Sequence, residues 1–233
     1  MCTVIVHVPE DATAAIRVLA VRDEDPARAW DPLGPWWPDL PGVIGVRDTR
    51  AGGAWLAADP SASRLAVVLN RADLIDDSLA TGSRGHIVLD AAAGRGLPEV
   101  PSTHGFNLLT VTPGHARVAM WDGESVRTVD LAPGVHMIAH DDVDDPKTAR
   151  IVAWHDAFAA PTGDDWIAEW LGALERTTTL EPTDDRAIIR DNRPHGYPTL
   201  SLLVCAGSVS AEGAEVVYGE FDEPGAWNSL QLR

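Results

Sequence analysis

The sequence predicts an α+β layered fold, because β-rich runs follow one another along the chain and the helical patterns are grouped between them. The first two runs, residues 2–8 and 16–21, are separated by "PEDATAA", which is typical of a hairpin connection. The run after Cys2 is unbroken and apolar, so we expect an interior strand there. No internal repeat, linker or low-complexity tail is visible, which predicts one domain over residues 1–233.

The later strands are short runs separated by Gly, Pro and Asp turns. In chain order they read VIGV, GAWLAA, RLAVVLN, FNLLTVT, ARVAMWD, SVRTVDL, PGVHMIAH, RAIIR, TLSLLVCA and AEVVYGEF. A first helix, "SRGHIVLDAAAG", ends at Gly94 and carries Ile87, Val88 and Ala91 on one face. Two further helices show stripes at i, i+3, i+4 and i+7 spacing. Those stripes are Ile151, Trp154, His155 and Phe158, and then Trp166, Ile167, Trp170, Leu171 and Leu174.

A Pro- and Trp-rich segment follows the second strand, and we expect a long ordered loop over residues 24–42. "PARAWDPLGPWWPDLPG" holds five prolines and three tryptophans in seventeen residues. It cannot be a central strand, because each proline lacks a backbone donor. Trp30, Trp36 and Trp37 either pin this loop to the core or line a pocket as a lid. For the lid, we expect at least one of them to border the cavity that contains the Cys2 sulfur.

Composition excludes several classes of function. The chain has 18 basic and 35 acidic residues, a formal charge of −17, which argues against nucleic-acid binding and against docking on anionic lipids. No stretch is long and apolar enough for a membrane span or a signal segment. Cys205 lies in the apolar run "LSLLVCAG" and reads as an inert core thiol. We expect a cytoplasmic protein with a small-molecule substrate or ligand and no cofactor; the oligomeric state stays open.

Cys2 is the candidate nucleophile. If Met1 is removed, the thiol and a free α-amine belong to the same residue, and that amine has a pKa of roughly 7.7–8.0. One residue then supplies nucleophile and general base. Arg22 at the end of the second strand would favour the thiolate and Asp23 would hold the amine, while Asn70 would donate to an oxyanion. The alternatives are a strand-end ion pair for Arg22 and Asp23 and a turn residue for Asn70.

Seven segments together resemble the NRDE family, also called the Transport and Golgi organisation 2 family. They are MCTVIV, LAVRDE, GVRDTRAGGAWLA, RLAVVLNR, SRGHIVLD, HGFNLLTV and LAPGVHMI, in the family's order over residues 1–158. The resemblance implies an N-terminal-nucleophile hydrolase fold, a four-layer αββα sandwich of two antiparallel sheets. In relatives with that fold the mature first residue attacks an amide. Cys2, Arg22, Asp23 and Asn70 match the family pattern.

The chain departs from that pattern at several positions. Val21 stands where the family usually has the Asn that precedes Arg-Asp-Glu. Ala139 and His140 replace its Ser-Asn, and its later Arg falls at Pro198. Arg190, Asn192 and Arg193 are candidates to replace the missing groups. We count His140, with the three loop tryptophans, among the substrate-binding residues.

His136 and His140 precede "DDVDD" and superficially resemble a metal cluster. Four residues along a strand separate two side chains by about 13 Å, which argues against a shared ion, so we predict no metal site. "DDVDDP" instead predicts an acidic first turn of the following helix, stabilised by the helix dipole.

These observations predict an amidohydrolase that cleaves a non-peptide C–N bond through a Cys2 thioester. The family resemblance also permits a non-catalytic protein that handles haem or an acyl lipid, although no CxxCH haem motif is present. A thiol redox role on an inherited fold is the third possibility. Whether Met1 is removed is open at this point.

Overall fold

The computed structural model describes residues 2–73, 75, 78, 80–158, 160, 163 and 165–233, so Met1 lies outside the described residues. The strands are β1 Thr3–Val8, β2 Ile16–Glu24, β3 Trp30–Gly34, β4 Ile44–Asp48, β5 Ala54–Asp59, β6 Arg64–Asn70, β7 Phe106–Thr112, β8 His115–Trp121, β9 Val126–Asp130, β10 Gly134–Ile138, β11 Leu200–Ser210 and β12 Gly213–Glu220. The helices are α1 Arg84–Ala92, α2 Ala149–Trp154 and α3 Trp166–Thr177. Short 3₁₀ turns cover His155–Ala157 and Arg193–His195.

The strands form two antiparallel sheets. The five-stranded sheet has the order β10-β1-β2-β11-β12 and the seven-stranded sheet the order β3-β4-β5-β6-β7-β8-β9. β1 lies between β10 and β2, with Thr3 opposite Val21 and Val4 opposite Ile138. The prediction of an interior first strand is therefore confirmed, and its physical basis is the apolar run, which can be buried on both faces.

Side-chain alternation along β1 divides the core into two layers. Val4 and Val6 pack between the sheets, whereas Ile5 faces the helices, in a cluster with Trp170 and Leu174 of α3. α1 packs against β5 and β6 of the seven-stranded sheet. The result is the predicted four-layer αββα arrangement. Full burial of each such aliphatic side chain stabilises the fold by roughly 1.5–3 kcal/mol.

α1 begins and ends close to its predicted bounds. Ser83 caps it by accepting a hydrogen bond from the Gly85 N–H at 3.2 Å, and Gly94 follows it at φ +75°. Ile87 and Val88 are buried as expected. Leu89 and Ala92 are buried as well, whereas Ala91 is only partly buried, and the helix packs against both β5 and β6.

Three local expectations were wrong. "RAIIR" is not a strand: the Arg190 guanidinium donates to the carbonyls of Asp184 and Asp185 at 3.1 and 2.8 Å, so the segment wraps around its own side chain. The segment over residues 24–42 contains the strand β3. β3 is an edge strand whose pairing with β4 is irregular between Asp31 and Gly34, so Pro32 is tolerated there.

The third concerns "DDVDDP". α2 begins at Ala149, and its first turn contains no acidic residue. Asp142 instead forms an ion pair with Arg71 at 2.6 Å, and Asp144 accepts a hydrogen bond from the Met137 N–H at 2.7 Å. Asp142 therefore joins the segment after β10 to Arg71, which follows β6, and Asp144 folds back onto β10 itself.

Two glycines allow α1 to approach the start of β5 closely. A Cβ on Gly53 would lie 2.6 Å from the Gly85 carbonyl carbon, and a Cβ on Gly85 would lie 3.0 Å from the Gly53 Cα. Side chains at these positions would therefore push backbone against backbone. This contact sets the position of the α1 N-terminus relative to the residues after Gly53.

We expect Gly53→Ala to lower the free energy of unfolding by about 1–3 kcal/mol, because the methyl group must displace α1. Gly172→Ala is the matched control: Gly172 lies inside α3, and nothing is within 4 Å of its Cβ position. That change should raise stability by about 0.5–1 kcal/mol. Urea denaturation measures both. Equal stability of Gly53→Ala and the wild type would contradict the docking of α1 on Gly53.

Candidate active site

Cys2 lies directly before β1 and is buried, with 3% of its surface exposed. The hairpin register pairs Thr3 with Val21, so the next pair along brings Cys2 beside Arg22. The Arg22 Nη1 lies 3.6 Å from the Cys2 Sγ. The thiol also points at the backbone carbonyl of Asp23, at 3.7 Å. Two of the residues that the sequence singled out are thus in contact.

Arg22 is held as a cation by its surroundings. Its Nη2 forms an ion pair with Glu24, and its guanidinium carbon lies 5.3 Å from the centre of the Trp55 ring. Burial lowers the pKa of Arg22, but the neighbouring Cys2, Glu24 and Asp23 together raise it above its ordinary value. The ion pair of Arg22 is therefore with Glu24, and a full positive charge lies beside the Cys2 sulfur.

Asp23 turns to the opposite face of β2, because neighbouring side chains on a strand alternate. It is buried and accepts hydrogen bonds from the Ser201 hydroxyl at 2.6 Å and from the Asn192 side-chain amide at 3.3 Å. The pairing of β2 with β11 is irregular between Ser201 and Leu203, opposite Asp23 and Arg22. Such irregularities often re-aim side chains next to active sites.

Arg190 and Asn192 extend this buried network. Both are almost completely buried, and the Arg190 Nε donates to the Asn192 Oδ1 at 2.8 Å. Asn192 therefore links Arg190 to Asp23. Arg193, the third candidate replacement, pairs instead with Asp191 at 2.7 Å on the exposed surface.

Sequence reasoning did not identify Arg150, which is buried and donates to the Thr3 hydroxyl at 3.1 Å. Burial, with Arg190 nearby, lowers the pKa of Arg150 to about 10, although Asp23 and Cys2 act in the opposite direction. The only sequence feature that could have pointed to Arg150 is its position four residues before Trp154, which places both on one face of the helix. An arginine at such a position is equally compatible with exposure to solvent, so the pattern did not predict its burial.

His140 lines a pocket of about 230 Å³ together with Arg150, Arg190 and Asn192. Burial lowers the pKa of His140. His136, by contrast, bonds Asp144 at 2.7 Å through its Nδ1. The His140 Nε2 lies 3.3 Å from an Asp141 carboxylate oxygen, so the two histidines have different carboxylate partners.

A larger groove, of about 590 Å³, lies on the Arg22 side, and we call it the Arg22 groove. Its lining residues are Arg22, Glu24, Arg28, Asp48, Arg50, Ala51, Ala54, Trp55, Val68, Asn70, Ala80, Gly82, Ser83, Arg84, Gly85 and His104. Asn70, at the exposed end of β6, shares this groove with Arg22. Within the described parts of the chain, no hydrogen bond joins Asn70 to Cys2.

The three loop tryptophans divide between two roles. Trp30 donates to the Tyr218 hydroxyl at 2.8 Å and borders a small cavity of about 30 Å³ with Arg22 and Trp55. Trp36 donates to the Pro32 carbonyl within the loop at 2.7 Å, and Trp37 donates to the Gly52 carbonyl at 2.8 Å. Trp30 thus shares a cavity with Arg22, but Cys2 is not among the residues that line this cavity. That a loop tryptophan borders the cavity of the Cys2 sulfur therefore stays a prediction, and Trp36 and Trp37 hold the loop.

The two stacked antiparallel sheets between helical layers form an N-terminal-nucleophile hydrolase-like fold, as the family resemblance implied. The structure is similar to the Caenorhabditis elegans ortholog of N-acylethanolamine-hydrolyzing acid amidase, with a TM-score of 0.50 and 10% sequence identity over 88% of this chain and 92% of that one. At that identity the likeness is one of fold. The sequence profile of the Transport and Golgi organisation 2 family matches residues 1–201, and the chain belongs to this family, as its motifs predicted.

No curated protein sequence matches the chain significantly. Among the described residues, no helix combines the length and the apolar character needed to cross a membrane.

We expect Ser201→Ala to lower the free energy of unfolding by about 1–3 kcal/mol, because the buried Asp23 carboxyl and the Arg190 N–H each lose a hydrogen bond. Ser208→Ala on the same strand is the control and should change stability by less than about 0.5 kcal/mol. Thermal or urea denaturation measures the difference. Equal free energies of unfolding for the two variants would contradict the expected contribution of the Asp23 hydrogen bonds to stability.

Proposed function

We propose that the protein is a cysteine N-terminal-nucleophile amidohydrolase that cleaves the amide C–N bond, other than a peptide bond, of a small and partly apolar molecule. The observation that carries this proposal is the Arg22 guanidinium 3.6 Å from the Cys2 sulfur. A cation in hydrogen-bonding reach stabilises the thiolate, which is the reactive form of cysteine. The interior position of β1 holds the sulfur in place.

The reaction proceeds in two balanced steps. After removal of Met1, the Cys2 α-amine accepts the thiol proton, the sulfur attacks the amide carbon, and a C–S bond forms. The C–N bond then breaks, and the leaving amine takes up the proton. In the second step water, deprotonated by the same α-amine, hydrolyses the thioester, which releases the acid and restores the thiol.

The neighbouring groups have separate roles in this scheme. Arg22 stabilises negative charge on sulfur, and Asn70 donates from the Arg22 groove to the oxyanion. Asp23 orients the α-amine, and its own position is set by Ser201 and Asn192. Trp30 supplies apolar surface at the small cavity beside Arg22, and His140 contributes to the pocket on the Asp23 side.

Non-catalytic handling of haem or an acyl lipid is the second candidate. It calls for an apolar pocket, whereas the lining of the Arg22 groove is mostly charged and polar. We therefore favour the hydrolase, and the reactivity of Cys2 separates the two.

We expect iodoacetamide to modify Cys2 at least about tenfold faster than Cys205 in protein from its native host. Cys205 is fully buried, and that burial raises the pKa of its thiol. Intact mass reports both the removal of Met1 and the first alkylation, and peptide mapping assigns the site. Cys205→Ala is the matched control and should keep the fast phase, which Cys2→Ala should remove. Arg22→Gln should slow it.

For amide cleavage, Cys2→Ala should abolish activity without unfolding the protein, and Cys2→Ser should retain little. A form that keeps Met1 should be as inactive as Cys2→Ala, because a peptide nitrogen is not a base. If the natural protein keeps Met1, or if Cys2 reacts no faster than Cys205, the hydrolase mechanism is wrong and the carrier function takes its place.

A further inference from the structure

We infer that the Arg22 groove binds a carboxylate of the ligand at Arg84, so that the molecule acted on is an amide that also carries an acid group. This inference rests on the proposed function, because it names the substrate class for the same site. The chain has a net charge of −17, yet four arginines line this one groove: Arg22, Arg28, Arg50 and Arg84.

Two of these arginines already have a carboxylate partner. Arg22 pairs with Glu24, and the Arg28 Nε donates to Asp48 at 2.8 Å. In the described part of the chain, neither Arg50 nor Arg84 forms an ion pair with a carboxylate. The groove therefore holds surplus positive charge that its own acidic residues do not compensate.

Of Arg50 and Arg84, Arg84 is better placed to bind an anion in the groove. Its guanidinium is partly buried and donates to the Gly105 carbonyl at 3.0 Å, which fixes its orientation, whereas Arg50 is exposed on a turn. Burial and the nearby Arg22 lower the pKa of Arg84, although Asp73, Cys2 and Glu24 partly offset this. An anion bound beside Arg84 would relieve that unfavourable environment.

The N-terminus of α1 adds to the same positive region. Ser83, Arg84 and Gly85 line the groove, and the nine-residue helix begins at Arg84. The helix dipole favours an anion at such an end, although the Gly85 and His86 N–H groups already bond the Ser83 hydroxyl and carbonyl. The contact between Gly53 and Gly85 holds this end close to the start of β5.

Trp55 provides a second, separate observation that points to a ligand in the Arg22 groove. It is 5% exposed and lines the groove, and its buried indole Nε1 has no hydrogen-bond partner among the described residues. A buried donor without an acceptor costs free energy, so a ligand acceptor at this place would be stabilising. A carboxylate accepts hydrogen bonds from both an indole and a guanidinium.

A singly charged group suits the groove better than a doubly charged phosphate. Glu24 and Asp48 share the lining, and their negative charges would repel a dianion more strongly than a carboxylate. The class of ligand is therefore an N-acyl amino acid or another amide with one free carboxylate.

The test measures binding in the Cys2→Ala protein, where no chemistry can occur. The probes are N-octanoylglycine and N-octanoylglycinamide, which differ only in carboxylate against carboxamide. We expect the acid to bind at least about tenfold more tightly, as charge-assisted hydrogen bonds imply, and added NaCl to reduce the difference.

Arg84→Gln should bring the two affinities together. Arg95→Gln is the matched control just beyond the other end of α1, where Arg95 pairs with Asp90 outside the groove, and it should leave the ratio unchanged. Trp55→Phe, which removes the N–H donor together with part of the ring but keeps an aromatic side chain, should lower the ratio several-fold. Melting curves check that each variant is folded. If Arg84→Gln does not fold, the salt dependence of the ratio in the Cys2→Ala protein serves as the readout.

Equal binding of the two probes, binding of neither, or a preference that Arg84→Gln leaves intact would overturn the inference. Competition by inorganic phosphate that exceeds competition by acetate would replace the carboxylate with a phosphate group and also overturn it. Alkylation of Cys2 is measured separately, in protein with the thiol present. If Cys2 is reactive but the two probes bind equally, the carboxylate inference is rejected and the hydrolase proposal stands. If the acid binds more tightly but Cys2 is unreactive, only the hydrolase proposal is rejected.

Discussion

The antiparallel register between β1 and β2 is the constraint on which the candidate site depends. It brings Cys2 beside Arg22, and it does so with two strands in the interior of one sheet. A shift of one residue would exchange the faces of the whole strand, because side chains alternate with a period of two. Such a shift would place Thr3 and His7 in the apolar layer that Val4, Val6 and Val8 now fill, which makes it costly. The apolar core thus fixes the position of a polar contact.

A second consequence of that register is the separation of Arg22 from Asp23. Adjacent on β2, they face opposite sides, and each meets a different part of the chain. Arg22 joins Glu24 and Trp55 at the groove, while Asp23 joins Ser201 and Asn192 from the C-terminal third. A buried carboxylate needs such partners, because unpaired it would be very costly. The last part of the chain therefore completes the surroundings of the first.

Electrostatics at the site differ from those of the protein as a whole. The chain as a whole is strongly acidic, but the Arg22 groove is lined by four arginines and by the N-terminus of a helix. Global charge governs long-range encounter with large partners such as nucleic acids. Local donors and cations govern which small molecule is held, so a net charge of −17 is compatible with the proposed binding of a carboxylate in the Arg22 groove.

Local patterns in the sequence determined most of the elements. Alternating and continuous apolar runs predicted the strands, the hairpin of β1 and β2 and the capped helix α1, since each depends on neighbours in the chain. The order of family motifs predicted the fold and the residues Cys2, Arg22, Asp23 and Asn70. The prediction of a strand at "RAIIR" was wrong. Its apolar pattern is typical of a strand, but the Arg190 side chain bonds the carbonyls of its own segment.

Tertiary structure alone decided which distant residues complete the site. Asn192 and Ser201 reach Asp23 across about 170 residues or more of chain, and Arg150 meets Thr3 from a helix far along the sequence. Trp55 lies in a motif that the sequence did highlight, yet only the packed fold leaves its indole nitrogen buried beside Arg22. Hydrogen bonds and burial depend on approach in space, and a one-dimensional pattern records periodicity but not which surfaces meet.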